Sequence, residues 1–184
     1  MRAFIAMEID NPEVLAAIAT FQEQIRQTGG DVKIVEPQNM HFTLLFLGEI
    51  SEEDVALVQE RLSVIRYQAF EAELTGTGVF PNANRINIAW VGVDSSAETN
   101  LRNVADNIAK SLAGSRFKPD KQFEPHLTVA RIKSGRAREK ILEVVNSNSS
   151  IRFGRQQFKD FKLKKSELTP AGPIYTNIHH FQLG

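Results

Sequence analysis

The chain has 184 residues, of which 42% are hydrophobic and 24% are charged, and this composition excludes a disordered polypeptide. It contains no cysteine, which excludes disulfides and thiolate metal sites, and no apolar run near the ~20 residues that cross a bilayer. Two acidic residues soon follow the short apolar stretch at the start, so we expect no signal peptide. These features predict a cytoplasmic protein that has no membrane segment and forms a single domain over residues 1–184.

The formal net charge is zero, but the two halves of the chain differ in sign. Residues 1–92 carry 6 Lys and Arg against 13 Asp and Glu, whereas residues 93–184 carry 16 against 9. The basic residues are densest in the segments ARIKSGRAREK and RFGRQQFKDFKLKKSEL. This distribution fits ordinary solvated faces, and it fits equally well one positive face suited to a polyanion such as RNA.

The first half of the chain predicts strands interrupted by two helices. Asn11 and Pro12 are typical of a helix N-cap and first position, and Ser51 before acidic residues is typical of a second helix start. In chain order the predicted elements are strand RAFIAMEI, helix NPEVLAAIATFQEQIRQTG, strand VKIV, strand MHFTLLFLG, helix SEEDVALVQERLSVI, and the strands AFEAELTGTGVF and RINIAWVGV joined by the turn PNAN.

The second half predicts a similar order of elements. They are helix SAETNLRNVADNIAKSLAG, strand HLTVARI, helix GRAREKILEVVN, one bent or two short strands in SIRFGRQQFKDFKLKKSEL, the turn TPAGP, and the closing strand IYTNIHHFQL. Both halves place a strand with the pattern H-x-T between helices. The order therefore predicts an α+β protein with two lobes of similar architecture.

Two of the four histidines lie in the same short pattern, His41-x-Thr43 and His126-x-Thr128. Side chains alternate along a strand, so each histidine shares a face with its threonine while apolar neighbours occupy the other face. A lone strand histidine is most often a hydrogen-bonded packing residue, and threonine suits a strand by propensity alone. The repetition favours instead two strands that meet across a cleft with both imidazoles facing one space.

A pair of facing histidines suits displacement at phosphorus. Near neutral pH, a neutral imidazole can take a proton from the nucleophile while a protonated one gives a proton to the leaving oxygen. The threonine hydroxyls can donate hydrogen bonds to non-bridging phosphate oxygens. Arg131 follows Thr128 by three residues and would face away on a regular strand, so it needs a bend or a strand end to reach the phosphate.

Other chemistries fit the sequence less well. A catalytic zinc usually takes three protein ligands, and the chain has neither an H-E-x-x-H pattern nor a cysteine, so we expect no metal. His179 and His180 are adjacent in a predicted strand and are interpreted as structural or surface residues. The sequence has no nucleophile elbow, and TGTG at Thr75–Gly78 is too short for a phosphate-binding loop.

The segments PQNMHFTLLFLGEI and FEPHLTVARI resemble the paired H-x-T-x motifs of the two-histidine (2H) phosphoesterases. They are most similar to the LigT/ThpR branch, the RNA 2′,3′-cyclic phosphodiesterases also called 2′-5′ RNA ligases. RAFIAMEI, GVFPN with RINIAWVGV, and LTPAGPIYT are similar to that branch too, so the resemblance covers nearly the whole chain. It implies a bilobal α+β fold with two pseudo-symmetric lobes, each an antiparallel sheet flanked by helices, around an active-site cleft.

The same resemblance implies metal-independent hydrolysis of RNA 2′,3′-cyclic phosphate ends to 2′-phosphomonoesters, and it allows for reversible 2′-5′ RNA ligation. On this basis His41 is the expected proton donor and His126 the expected proton acceptor. Thr43, Thr128 and Arg131 are the expected phosphate-binding residues. The expected partner is RNA, such as a tRNA-like molecule with a 2′,3′-cyclic phosphate end, and the expected state is a monomer without a cofactor.

Two other functions stay open at this point. An RNA-end or nucleotide-binding module would use the cleft without chemistry, although a binder has no need of two groups that titrate near neutrality. An enzyme of another 2H branch would act on a small cyclic nucleotide or a 2′-5′ oligonucleotide. The basic second half favours longer RNA over such small substrates.

Overall fold

The computed structural model describes residues 1–184 and contains four α-helices and nine strands. None of the helices combines the length and hydropathy that a membrane span requires. The helices are α1 (Pro12–Arg26), α2 (Glu52–Leu62), α3 (Ser95–Ser111) and α4 (Arg138–Ser147). The strands are β1 (Arg2–Glu8), β2 (Val32–Ile34), β3 (His41–Glu49), β4 (Phe70–Asn82), β5 (Arg85–Val93), β6 (Leu127–Ile132), β7 (Arg152–Phe158), β8 (Asp160–Thr169) and β9 (Gly172–Gln182).

The strands form two antiparallel sheets, which confirms the predicted α+β class and the two-sheet architecture. The first sheet has the order β3-β1-β8-β9, and the second has the order β2-β6-β5-β4-β7. Each sheet takes strands from both halves of the chain. The second half supplies β8 and β9 to the first sheet, and the first half supplies β2, β4 and β5 to the second. The chain therefore crosses between the lobes instead of building one lobe per half.

Local signals set the helix starts as predicted. The Asn11 side chain accepts a hydrogen bond from the backbone N–H of Glu13, and Ser51 forms a capping box with Asp54. The segment after α4 forms two strands, and these belong to different sheets. The alternative of one bent strand is therefore wrong, because β7 joins the second sheet and β8 joins the first.

One continuous cluster of 40 buried apolar residues runs through the molecule. Both H-x-T strands contribute to it: Phe42 is 1% exposed, and Leu127 and Val129 are fully buried. The apolar faces of these strands thus anchor them, which leaves the faces with histidine and threonine free of any packing role in this core.

Candidate active site

The two H-x-T strands lie close together although they belong to different sheets. Cα atoms of β3 and β6 approach within 8 Å of each other. His41 is the first residue of β3, and His126 immediately precedes β6. Burial is the main reason that the pKa of His41 on β3 is lowered, and the positive charge of Arg131 on β6 adds to the lowering, so the two side chains share one electrostatic environment. The fold therefore brings both motifs to the junction of the lobes.

A β-bulge in β6 places Arg131 beside the H-x-T motif. Consecutive residues of β5 pair with Thr128 and Ala130, which leaves Val129 as an extra residue. Val129 and Ala130 are both fully buried, so the regular alternation is broken between them. Arg131 consequently returns to the face of Thr128 and is exposed there. This bulge supplies the bend that Arg131 needs in order to lie on the same face as Thr128.

β3 carries the same irregularity. Consecutive residues of β1 pair with Thr43 and Leu45, which leaves Leu44 as the extra residue. Phe46, three residues after Thr43, therefore returns to the face of that threonine, and 50% of its surface is exposed. The two motifs thus share an extended six-residue pattern, H-x-T-x-x-x, which ends in Phe46 on one strand and Arg131 on the other.

A buried glutamine of α1 supports the bulge in β6. Gln22 is 5% exposed, and its Nε2 donates hydrogen bonds to the carbonyl of Val129 at 2.8 Å and to that of Val35 at 2.9 Å. The backbone N–H of Val35 also donates to the Val129 carbonyl at 3.0 Å. These bonds satisfy the polar backbone of the extra residue in an apolar setting, where an unpaired carbonyl is costly.

Hydrogen bonds fix the tautomer and orientation of His41. Its Nδ1 lies 2.7 Å from the carbonyl oxygen of Asn39, which can only accept, so Nδ1 carries the proton. Its Nε2 lies 3.0 Å from Oγ1 of Thr43, whose hydroxyl donates when the imidazole is neutral. A neutral His41 therefore has a lone pair at Nε2, and the side chain can release a proton from Nε2 only as the imidazolium.

The surroundings of His41 favour the neutral form in the free protein. Burial lowers the pKa of His41 to about 4, against the hydrogen bond to Asn39, and the positive charges of Lys164 and Arg131 act in the same direction as burial. The charge of Glu8, which is paired in register with His41, opposes them. An anion bound at this site would restore the protonated form by adding negative charge.

Glu8 and two lysines form a charged group next to His41. Lys162 contacts the Glu8 carboxylate at 2.5 Å, and Lys164, only 4% exposed, contacts its other oxygen and lies 2.8 Å from Oδ1 of Asn177. Burial raises the pKa of Glu8, but the hydrogen bonds from both lysines outweigh it and hold that pKa below its usual range. This group therefore keeps a net positive charge beside the imidazole.

His126 is held by a stack instead of a side-chain hydrogen bond. Its ring is parallel to the indole of Trp90, with centroids 3.8 Å apart and an interplanar angle of 3°. Burial lowers the pKa of His126, while the charge of Glu124 opposes this shift. Arg102 on α3 steadies the preceding segment, since it donates to the carbonyl of Phe123 at 2.7 Å and pairs with Glu124 at 3.7 Å.

The indole of Trp90 lies directly on Gly78 of β4. A Cβ atom at Gly78 would stand 2.2 Å from Cζ2 of Trp90, far inside van der Waals contact. The TGTG segment is therefore not a phosphate loop; its last glycine leaves room for the ring against which His126 stacks.

We expect Gly78→Ala to displace Trp90 and with it His126. Overpacking should lower the free energy of unfolding by about 1–3 kcal/mol. Misplacement of the imidazole by about 1 Å should lower kcat by up to about a hundredfold. Chemical denaturation and initial rates measure both effects. Gly135→Ala is the matched control, because a Cβ there meets nothing within 4 Å; similar losses in both variants would contradict this role of Gly78.

Further side chains that belong to neither H-x-T motif lie at the site. Tyr175 of β9 lies edge-on to His41 at 5.3 Å, and Phe4 lies 5.0 Å from both rings. Burial raises the pKa of Tyr175, and the charge of Arg131 opposes this rise. Only the segment LTPAGPIYT, which contains Tyr175, carried a sequence signal. His179 and His180 are exposed on β9, where His180 lies 3.3 Å from Asp160.

A comparison with known families matches this chain twice. The family model described as LigT like Phosphoesterase covers residues 9–90 and again residues 91–175, so that each match contains one H-x-T motif. The chain belongs to the LigT-like phosphoesterase family. The resemblance inferred from the two motifs is thereby confirmed.

Relatives of this LigT-like phosphoesterase align over nearly its whole length. A protein of Archaeoglobus fulgidus named RNA 2′,3′-cyclic phosphodiesterase is 38% identical, covering 99% of this chain and 100% of the relative. One of Methanothermobacter thermautotrophicus with the same name is 35% identical, covering 100% and 99%. A crystal structure from Thermus thermophilus superimposes with a TM-score of 0.79 at 31% identity, covering 99% and 97%. E. coli LigT complexed with 3′-AMP, at 21% identity, shares the fold with a TM-score of 0.75, covering 99% and 96%.

Proposed function

We propose that this protein hydrolyses the 2′,3′-cyclic phosphate at an RNA end to a 2′-phosphomonoester, as a cytoplasmic monomer acting on tRNA-like or other RNA. The names of the full-length relatives support the reaction. The observation that supports the proposal is the approach of two bulged H-x-T strands from different sheets, because each strand carries an imidazole and a hydroxyl and one of them adds a guanidinium.

In the proposed reaction, His126 takes a proton from water while the water oxygen bonds to phosphorus. The bond from phosphorus to O3′ breaks, and protonated His41 delivers the proton from Nε2 to the departing oxygen. Thr43 and Thr128 donate to non-bridging oxygens, and the fork of Arg131 neutralises their growing charge. No step calls for a metal or a cofactor, since side chains supply the acid, the base and the positive charge.

The exposed ring of Phe46 supports a nucleotide substrate. It lies on the face of Thr43, and an exposed aromatic ring can take a nucleobase by stacking. With a 5′-hydroxyl in place of water as the nucleophile, the same site would join two RNA ends by a 2′-5′ linkage, again with breakage of the bond from phosphorus to O3′. This ligation would be disproved if an excess of 5′-hydroxyl oligonucleotide gave no joined product under conditions of rapid hydrolysis.

The test is to incubate the protein, in buffer containing EDTA, with an oligonucleotide that ends in a 2′,3′-cyclic phosphate. The expected product is the 2′-phosphate, identified by chromatography against both isomers. A 3′-phosphate product would contradict the roles assigned to the histidines. Tight binding without any product would identify an RNA-end binding module instead of an enzyme.

We expect the pH profile of kcat/KM to have an acidic optimum. The reaction needs one protonated and one neutral imidazole, and kcat/KM reports the pKa values of the free enzyme. Burial lowers the pKa of His41 to about 4 and lowers that of His126 from its ordinary value of 6.5. Activity therefore decreases at pH values under the lower pKa, where both imidazoles are protonated, and at pH values over the higher pKa, where both are neutral.

The profile of kcat should be displaced to higher pH, since bound phosphate favours the imidazolium forms. Initial rates between pH 4 and pH 9 at limiting and saturating substrate measure both profiles. An optimum of kcat/KM above pH 7 would contradict the lowered pKa values.

A further inference from the structure

One of the two basic segments of the sequence is largely neutralised in the fold. Five of the six Lys and Arg residues in RFGRQQFKDFKLKKSEL form ion pairs with carboxylates. The pairs are Arg152–Glu73, Arg155–Glu71, Lys162–Glu8, Lys164–Glu8 and Lys165–Glu167. Lys162 and Lys164 share one carboxylate and keep a net positive charge at the active site, but away from that site only Lys159 of this segment lacks an ion pair, so the segment offers little further positive charge to a polyanion.

The other basic segment, ARIKSGRAREK, keeps its charge. None of its cations has a carboxylate oxygen within 4.0 Å, and the same holds for two cations that the fold brings beside it. Beyond Arg131 of the active site, these residues form a basic strip: Lys33, Arg85, Lys133, Arg136, Arg138 and Lys140. Acidic side chains occur nearby, at Asp31 and Glu139, but neither pairs with the strip.

The basic strip is continuous with the active site. Lys33 on β2 is the register partner of Arg131, and Lys133 follows two residues later on β6, about 7 Å along the strand. Arg85 begins β5, three residues before the partner of Arg131 on that strand. The strip thus begins at the proposed phosphate site and runs outward along the end of the second sheet.

Beyond the sheet, the strip lines a concavity at the start of α4. This concavity has a volume of about 710 Å³, and only one of its nine lining residues is apolar, unlike a small-molecule pocket. Nε of Arg136 donates to the carbonyl of Gly29 at 3.0 Å, and Nη1 of Arg138 donates to that of Asn84 at 2.9 Å. Carbonyls hold the two guanidinium groups in place without neutralising them, so the groups are ordered and still cationic.

We propose that the basic strip binds the sugar-phosphate backbone of the single-stranded RNA that leads to the reacting end. This inference rests on the proposed function, because it places the reacting phosphate at Arg131 and the rest of the RNA along the strip. A small cyclic nucleotide would fill the active site alone and would leave these cations without a partner. The strip therefore favours a polynucleotide substrate over a mononucleotide.

The test measures the affinity of a labelled 12-nucleotide RNA ending in a 2′-phosphate at several salt concentrations. Replacing Arg136, Arg138 and Lys140 together by Gln should weaken binding about tenfold or more near 0.1 M salt. It should also reduce the slope of log affinity against log salt by about 2, since each phosphate contact on a single strand contributes about 0.7. For hydrolysis, the loss of kcat/KM on a cyclic-phosphate oligonucleotide should exceed the loss on a cyclic mononucleotide by about tenfold.

The matched control replaces Arg61, Arg66 and Lys110 by Gln, which removes the same charge from cations that also lack a carboxylate partner. Equal weakening in both triple variants, or an unchanged salt slope in the strip variant, would overturn the proposal. So would equally tight binding of poly-glutamate, which would make the strip a docking surface for an acidic protein. Hydrolysis of neither substrate by the wild-type protein would refute the proposed function, whereas the binding data would still decide whether the strip holds RNA.

Discussion

His41→Ala and His126→Ala should each lower kcat for a 2′,3′-cyclic phosphate substrate by about 10²–10⁴-fold, the range of a lost general acid or base. The reason differs between the two variants. Without His41 the leaving oxygen departs without a proton from Nε2, the atom that the Asn39 hydrogen bond leaves free. Without His126 the water loses its base, while Trp90 keeps its place on Gly78.

A substrate whose leaving group needs no proton distinguishes the role of His41 from that of His126. With a substrate whose leaving group is a good one, such as a nitrophenolate ester of a nucleotide, His41→Ala should recover most of its activity, whereas His126→Ala should not. His180→Ala is the control, because this exposed histidine meets only Asp160 and should keep kcat within about twofold. Full activity in either active-site variant on the cyclic substrate would refute the two-histidine mechanism.

The joint loss of both histidines adds a further check. The effects of residues that act in one step are not additive. We therefore expect kcat of the double variant to be only slightly lower than that of the less active single variant. Each ring is oriented by different partners, His41 by Asn39 and His126 by Trp90, so one substitution leaves the other ring in place. Losses that multiply fully would mean that the two imidazoles contribute to the transition state independently of each other.

Much of this site could be predicted because its signals are local. An imidazole and a hydroxyl two residues apart share a face of any strand, and the repeated pattern implied that the two faces meet. Helix starts at Asn11 and Ser51 were equally local, since each cap bonds within three residues. The sequence therefore sufficed for the elements, the α+β class and the family.

What the sequence could not predict depends on contacts between distant segments. The bulges in β3 and β6 arise from the register with β1 and β5, and Gln22, which supports one of them, lies more than 100 residues away from Val129. The exchange of strands between lobes has no local signature, because an antiparallel edge accepts any strand with the right faces. For the same reason, the ion pairs that neutralise one basic segment and spare the other appear only in the fold.

Arg131→Ala should lower kcat by about 10²–10³-fold, since it removes a charged donor aimed at oxygens that gain charge in the transition state. Because the bulge at Val129 fixes the face from which the guanidinium reaches the site, the position of the charge matters as well as its sign. Arg131→Lys should therefore recover only part of the loss: an ammonium supplies the charge but not the two parallel donors of the fork.

Two measurements distinguish this role from a general electrostatic one. Removing Arg131 also removes a charge that lowers the pKa of His41, so the limb of the pH profile that reports His41 should move to higher pH in Arg131→Ala. Lys110→Ala, which removes an exposed cation from the last turn of α3, should leave kcat within about twofold and the profile unmoved. If Arg131→Lys matched the wild type, the paired donors of the guanidinium would not be acting on the phosphate. If the His41 limb stayed in place in Arg131→Ala, the guanidinium would not lie near enough to His41 to affect its pKa.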